Sequence, residues 1–264
     1  MIVGQNRIRN LIETSNLDNF PNSLIISGEK RSGKHTICDL ISSKLNLQVI
    51  DISEKLTQEM IDEIYTRVEP YIYVITSDKL NIKNQNSILK FLEEPLKNSY
   101  IILLVENKNM LLPTILNRCQ IWELEKYTRD ELSTFINGNV DSRILDVAKT
   151  PGDVIIMQNE NNNFEKLYDL VDKLIEKIPM ASFSNILSIT NRINFDGKEP
   201  EKIDLSVFIR TLIWLSGVKI LNSDNPYYQE VYKTVNDLSN NLLILNINKK
   251  ICFENFLAKM KVLR

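Results

Sequence analysis

Residues 28–36 read GEKRSGKHT, one residue away from a phosphate-binding loop. Such a loop runs G-x-x-x-x-G-K and then Ser or Thr. Gly28, Gly33 and Lys34 stand where the pattern requires them, His35 takes the place of the hydroxyl residue, and Thr36 follows. In this arrangement backbone N–H groups at a helix N-terminus face an anion while the lysine adds a point charge. The hydroxyl serves Mg²⁺, a hard cation that prefers oxygen, and His35 offers nitrogen instead. Thr36 does not restore the ligand, because one step along a helix turns the side chain by about 100°. Hydrolysis also needs an Asp for the metal and a Glu that orients the attacking water. After YIYVI the chain has Thr76 and Ser77. Asp78 arrives two residues late, about 6–7 Å further along an extended strand. Three uses of the loop stay open on these residues: turnover, ATP or ADP held without turnover, and a relic kept for its turn geometry.

A second stretch, KLNIKNQNSILK (79–90), carries Lys79, Lys83 and Lys90 and no acid. It opens a helix, so Lys83, Asn84 and Gln85 stand near free N–H groups. That suits a nucleic-acid phosphate. The plainer reading is a solvated basic turn.

The loop needs a strand before it and a helix after it, and the sequence supplies both. SLIIS (23–27) is a buried-strand pattern, and Ile37, Leu40, Ile41 and Leu45 share one face of the following helix. LQVIDI (47–52), YIYVIT (71–76), YIILLVE (100–106) and QIWEL (120–124) are further strands; MIDEIYTRV (60–68) and NSILKFLEE (86–94) are helical, the latter stopped by Pro95. Strands alternating with helices imply a parallel sheet covered on both faces. From Thr128 the rhythm changes. TRDE (128–131) is a capping box, with Thr128 as N-cap and Glu131 reaching back. Helical periodicity then runs almost throughout, clearest in 164–178 and 204–221, with breaks expected at TPGD (150–153) and FDGKEP (195–200). The expected division is an α/β domain over 1–125, a small helical unit over 126–160 and a helical C-terminal domain over 161–264.

Composition bounds the partners. The chain has 264 residues, 43% hydrophobic and 25% charged, ordinary for a globular protein with a substantial core. A formal charge of −2 gives no general attraction to nucleic acid, so any such contact must be local. Cys38, Cys119 and Cys252 are scattered and there is one His, which argues against a structural zinc site or a disulfide framework. No metal is expected. The Met1 end lacks a signal-peptide pattern, and no apolar run approaches the ~20 residues of a membrane helix. A reducing cytoplasm and no membrane partner are expected.

The segment NSILKFLEEPLKNSYIILLVENKNMLLPTILNRCQIWEL (86–124) closely resembles the central region of bacterial DNA polymerase III clamp-loader subunits. That family has a helix ending L-E-E-P, then a strand, L-P-T-I and S-R-C-Q. Here Leu92-Glu93-Glu94-Pro95 and Leu112-Pro113-Thr114-Ile115 match, and Asn117-Arg118-Cys119-Gln120 matches with Asn for Ser. IVGQ (2–5), TPGDV (150–154) and NINKKICFENFLAKM (246–260) resemble the family's opening box, the start of its lid helices and its last collar helix. Within the family the chain looks delta-prime-like. The resemblance implies an AAA+ parallel-sheet P-loop domain, a helical lid and an all-α collar. It implies partners: gamma/tau-type and delta-type subunits, the sliding clamp, and primer–template DNA near Lys83, Asn84 and Gln85. It implies that Arg118 reaches ATP held by a neighbouring subunit, a role to which a permanent charge and planar fork suit arginine. A structural ion pair or a surface Arg is the other reading of Arg118. Glu93 and Glu94, placed unfavourably at a helix C-terminus, are expected to meet a neighbour's basic patch or solvent. Many members insert a cysteine-rich zinc module after the glycine loop, and this chain has no room for one. A hydrolysing gamma/tau-like subunit tolerant of His35 and a stand-alone P-loop phosphotransferase are the alternative functions.

Overall fold

The computed structural model describes residues 3–77, 80–95, 99–158, 164–196, 199, 202–242 and 247–263. Asp78 and Lys79 lie outside them. The chain divides into two compact units, Met1–Glu131 and Leu132–Arg264.

In the first unit, strands and helices alternate in chain order: α1 (Asn6–Thr14), β1 (Ser23–Ser27), α2 (Lys34–Leu45), β2 (Gln48–Asp51), α3 (Gln58–Thr66), β3 (Tyr71–Thr76), α4 (Ile82–Glu93), β4 (Tyr100–Val105), α5 (Pro113–Leu116) and β5 (Gln120–Glu123). α6 (Arg129–Ser133) follows. The five strands form one parallel sheet in the order β2-β3-β4-β1-β5. Successive side chains of a strand point to opposite faces. Leu24, Ile26, Ile72, Val74, Ile102 and Leu104 thus pack with Ile8 of α1 and Ile37 and Ile41 of α2. Ile25, Tyr73, Ile75, Ile101, Leu103 and Val105 pack on the other face with Ile64, Ile88, Phe91 and Ile115 of α3, α4 and α5. Because both faces are covered, the inner strands read as unbroken apolar runs. Each buried aliphatic side chain contributes about 1.5–3 kcal/mol relative to exposure.

Helix ends follow the local chemistry. α4 begins where the Asn81 side chain accepts the Asn84 N–H at 2.9 Å, and its last residue stands two before Pro95. The capping box forms as read: the Thr128 N–H donates to Glu131 Oε2 at 2.8 Å, and the Glu131 N–H to Thr128 Oγ1 at 3.3 Å.

The second unit holds α7 (Ile144–Val147), α8 (Pro151–Gln158), α9 (Phe164–Lys177), α10 (Phe183–Thr190), α11 (Leu205–Asn222), α12 (Pro226–Asn241) and α13 (Lys249–Val262). The break expected at TPGD falls between α7 and α8, and two other expectations change. TPGD itself opens α8. The Thr150 N–H donates to Asp153 Oδ2 at 3.0 Å, with Pro151 at the first helical position, where its missing N–H costs nothing. Buried Asp153 also pairs with Arg210 of α11. First, Ile193–Asn194 (β6) and Ile203–Asp204 (β7) pair as a short parallel ladder inside the region read as helical. Second, α11 is 18 residues long with mean hydropathy 1.4, so by length and composition it is apolar enough to cross a membrane. That corrects the expectation that no run comes near this size. Its apolar residues have partners on several sides, since α7, α9 and α12 all pack against it. Leu205, Val207, Phe208, Ile209, Leu212 and Leu215 are buried there.

Candidate functional site

The glycine loop leaves the C-terminal end of β1, the strand flanked by β4 and β5. The Gly28 N–H donates to the Val105 carbonyl at 3.1 Å, which fixes where the loop departs. A Cβ at Gly28 would sit 3.0 Å from Leu124 Cβ and 3.0 Å from Ser32 Oγ, a close approach that favours glycine. Gly33 caps α2 at φ 90°, a left-handed conformation that glycine adopts without strain. The loop therefore has the geometry that its pattern predicts.

Its cation does not face outward. Lys34 is buried, and its ammonium donates to the loop's own carbonyls, Gly28 at 2.5 Å and Glu29 at 2.8 Å. Burial holds its pKa below the ordinary lysine value, with the carboxylates of Glu106 and Glu29 pulling the other way. Tyr127 closes on the same loop, its hydroxyl donating to the Ser32 carbonyl at 2.8 Å. Burial raises the Tyr127 pKa. The Ser32 hydroxyl is buried and has no protein partner. His35 and Thr36 are exposed on the first turn of α2. At the end of β3 the Thr76 N–H donates to Ser53 Oγ at 2.9 Å, so a hydroxyl stands where an ATPase would place its acids. Among the described residues no group of three or more His, Cys, Asp or Glu is arranged to hold a metal.

Sequence reasoning missed Tyr127, Glu106 and the use of Gln5. The Gln5 amide pairs with the backbone of Glu125 in both directions: Nε2 donates to its carbonyl at 2.7 Å, and Oε1 accepts its N–H at 2.8 Å. The available signal was positional, since Glu106 is the first polar residue after the β4 run. In open parallel sheets, ligand-facing groups gather at the carboxyl ends of strands.

A second corner forms where α4 meets the segment leading into α5. Gln85 does not face solvent, which corrects its assignment to a DNA-facing set. It is 2% exposed, and its amide donates to the carbonyls of Leu80 at 2.8 Å and Met110 at 3.1 Å while accepting the Leu112 N–H at 2.8 Å. Lys83 is exposed and Asn84 partly exposed on the first turn of the same helix. At the other end of α4, Glu93 Oε1 lies 2.7 Å from Nη2 of Arg118. Nη1 of Arg118 donates to the Thr114 carbonyl at 2.8 Å. Arg118 is thus in an ion pair, and Glu93, though exposed, has a partner within its own chain that the sequence did not indicate. Burial pushes the adjacent Cys119 thiol up to about 12.

Residues 40–128 match the family described as "DNA polymerase III, delta subunit". The chain is 22% identical over 219 residues, 77% of its length, to the DNA polymerase III subunit delta' of Bacillus subtilis (strain 168), covering 64% of that relative. To the subunit of the same name from Haemophilus influenzae it is 36% identical over 77 residues, 29% of this chain and 22% of the relative. The matched stretches thus span less than two thirds of either relative's own length. Among solved structures, a DNA polymerase III gamma subunit-related protein of Thermotoga maritima aligns with TM-score 0.52 at 16% identity, covering 97% of this chain and 98% of that one. This likeness bears out the AAA+ type of fold, a parallel α/β core followed by a helical region. In sequence, the chain is delta-prime-like.

Proposed function

We propose that this delta-prime-like chain is a non-hydrolysing subunit of a clamp loader. It helps load a ring-shaped sliding clamp onto primed DNA and lends Arg118 to ATP held by a neighbouring gamma/tau-type subunit. The observation that carries the reading is the placement of Arg118: a guanidinium with its side chain 35% exposed, on the corner after α5, held by Glu93 and Thr114. A planar fork with a permanent charge suits phosphate oxygens, and an arginine supplied in trans stabilises charge on a transferring phosphoryl group.

The chain's own loop does not fit a magnesium nucleotide. Lys34 is engaged by Gly28 and Glu29, His35 brings no oxygen, and Thr76 bonds to Ser53. No hydrolytic step is assigned to it; of the three uses open from the sequence, a loop kept for its turn geometry has the most support. Lys83 and Asn84 are the residues assigned to DNA phosphate. Residues 126–160 serve as lid and 161–264 as collar, and delta-type subunits complete the assembly in the cytoplasm.

Co-purification with gamma-type and delta-type subunits, followed by native mass measurement, tests this reading. One complex containing the chain is expected, together with no ATP turnover by the chain alone. A chain that never enters a complex overturns the reading. So does turnover near ~1 s⁻¹ by the isolated chain that vanishes with Lys34→Ala, which would favour the hydrolysing gamma/tau-like alternative.

A further inference from the structure

Resting on that reading, we infer that Glu93 is the positioning residue for Arg118, holding the guanidinium aimed before the neighbour's nucleotide arrives. A carboxylate on the last turn of a helix is disfavoured by the helix dipole. Glu93 nonetheless ends α4, with its Oε1 2.7 Å from Arg118 Nη2. Thr114 takes Nη1 at 2.8 Å. Two acceptors on two different elements fix both the position and the plane of the fork. A guanidinium has five N–H donors, so donors remain for an incoming anion while both holds persist.

The division of labour in this corner is what makes Glu93 a positioning group and not a structural one. The backbone leading into α5 is tied to α4 by Gln85, which bonds to Met110 and Leu112 from a buried position. The Glu93 side chain is 49% exposed and meets the arginine at its terminal nitrogen. Exposed ion pairs contribute little to stability. Their use lies elsewhere: a long, flexible side chain that is already ordered loses less freedom when it meets its target.

The test uses complexes reconstituted with gamma-type subunits, the clamp and primed DNA. DNA-stimulated ATP turnover is measured as kcat and KM, clamp loading is followed in parallel, and the melting temperature of each free variant is recorded. Glu93→Ala is expected to lower turnover at the receiving site roughly tenfold, mainly in kcat, with a smaller fall in bulk turnover because other sites are unaffected. Glu93→Asp, which keeps the charge, recovers part of the loss. Glu93→Ala combined with Arg118→Ala is no worse than Arg118→Ala alone, since the first acts through the second. Melting temperatures stay within about 3 °C of wild type. Wild-type kinetics in the Glu93 variants, additivity in the double variant, or a loss that follows lowered stability would each overturn the positioning role. If Arg118→Ala still slows the complex in those cases, the arginine reading survives. Wild-type rates with Arg118→Ala itself remove the reading beneath.

Discussion

Lys34 and Arg118 are both cations of the kind that meets phosphate, and the fold treats them in opposite ways. Lys34 sits inside its loop and neutralises the carbonyl dipoles of Gly28 and Glu29. Arg118 stands at a half-exposed corner, where one carbonyl and one carboxylate hold it by its terminal nitrogens. An anion approaching Lys34 must first break two hydrogen bonds within the loop. An anion approaching Arg118 finds donors still available. A preserved glycine–lysine pattern therefore does not mean a preserved site: the pattern fixes the turn, and side-chain partners decide whether the charge is offered outward.

Arg118→Ala should break the comparison most sharply. In a complex of confirmed composition, turnover at the site that receives it is expected to fall by ~10³-fold or more, with folding of the free chain unchanged. Stopped-flow ATPase and clamp-loading measurements check this; Arg118→Lys should not restore the rate, because a point charge lacks the fork. For Lys34→Ala the opposite profile is expected: no loss of turnover in the complex, but a loss of stability of about 1–3 kcal/mol, because two loop carbonyls lose a charged donor. Urea unfolding of the isolated chain measures it. If the loop instead binds nucleotide productively, this variant will cut turnover and leave stability nearly untouched.

Lys83→Glu probes the third cation of interest. Binding of the complex to primed DNA should weaken alike across sequences, and the slope of log affinity against log salt should shrink by about 1. Fluorescence anisotropy over a salt series decides it, and an unchanged slope would place the DNA path elsewhere. The smallest effect belongs to Tyr127→Phe. Removing the hydrogen bond to the Ser32 carbonyl should cost roughly 1 kcal/mol at an unchanged denaturant slope. Calorimetry with ATP should still show no binding, because Lys34 remains turned inward.

Much of the scaffold was legible because its signals are local. β1 and β3 have the bounds that their apolar runs imply, and the Thr128–Glu131 box needs only four residues to be recognised. The misses share a different cause. TPGD marks a true break after α7, but its Pro and Gly hide that Thr150 and Asp153 also cap the helix that follows, with Pro151 at the position that tolerates it. The ladder of Ile193–Asn194 with Ile203–Asp204 is two residues long, too short for any period to register. At the candidate site, the residue types were readable and their partners were not. That Gln85 turns inward to Met110, and that Glu93 takes Arg118, depends on how α4 lies against residues 110–118, which no spacing in the sequence specifies.

The position of β1 in the sheet also sets an order in time. Ser23 pairs with Ile101, and Leu24 with Gln120, so the strand that carries the loop is made early and completed late. At ~5–20 residues per second on a ribosome, β1 waits several seconds for both of its neighbours. The nearer pairing of Gln48 with Tyr71 can form first. The bonds that shape the loop come later still: Gly28 needs Val105, Ser27 needs Leu124, and Ser32 needs Tyr127. The glycine loop is thus finished by the last residues of its own unit to be synthesised, and a nascent chain released before Tyr127 carries the motif without its shape.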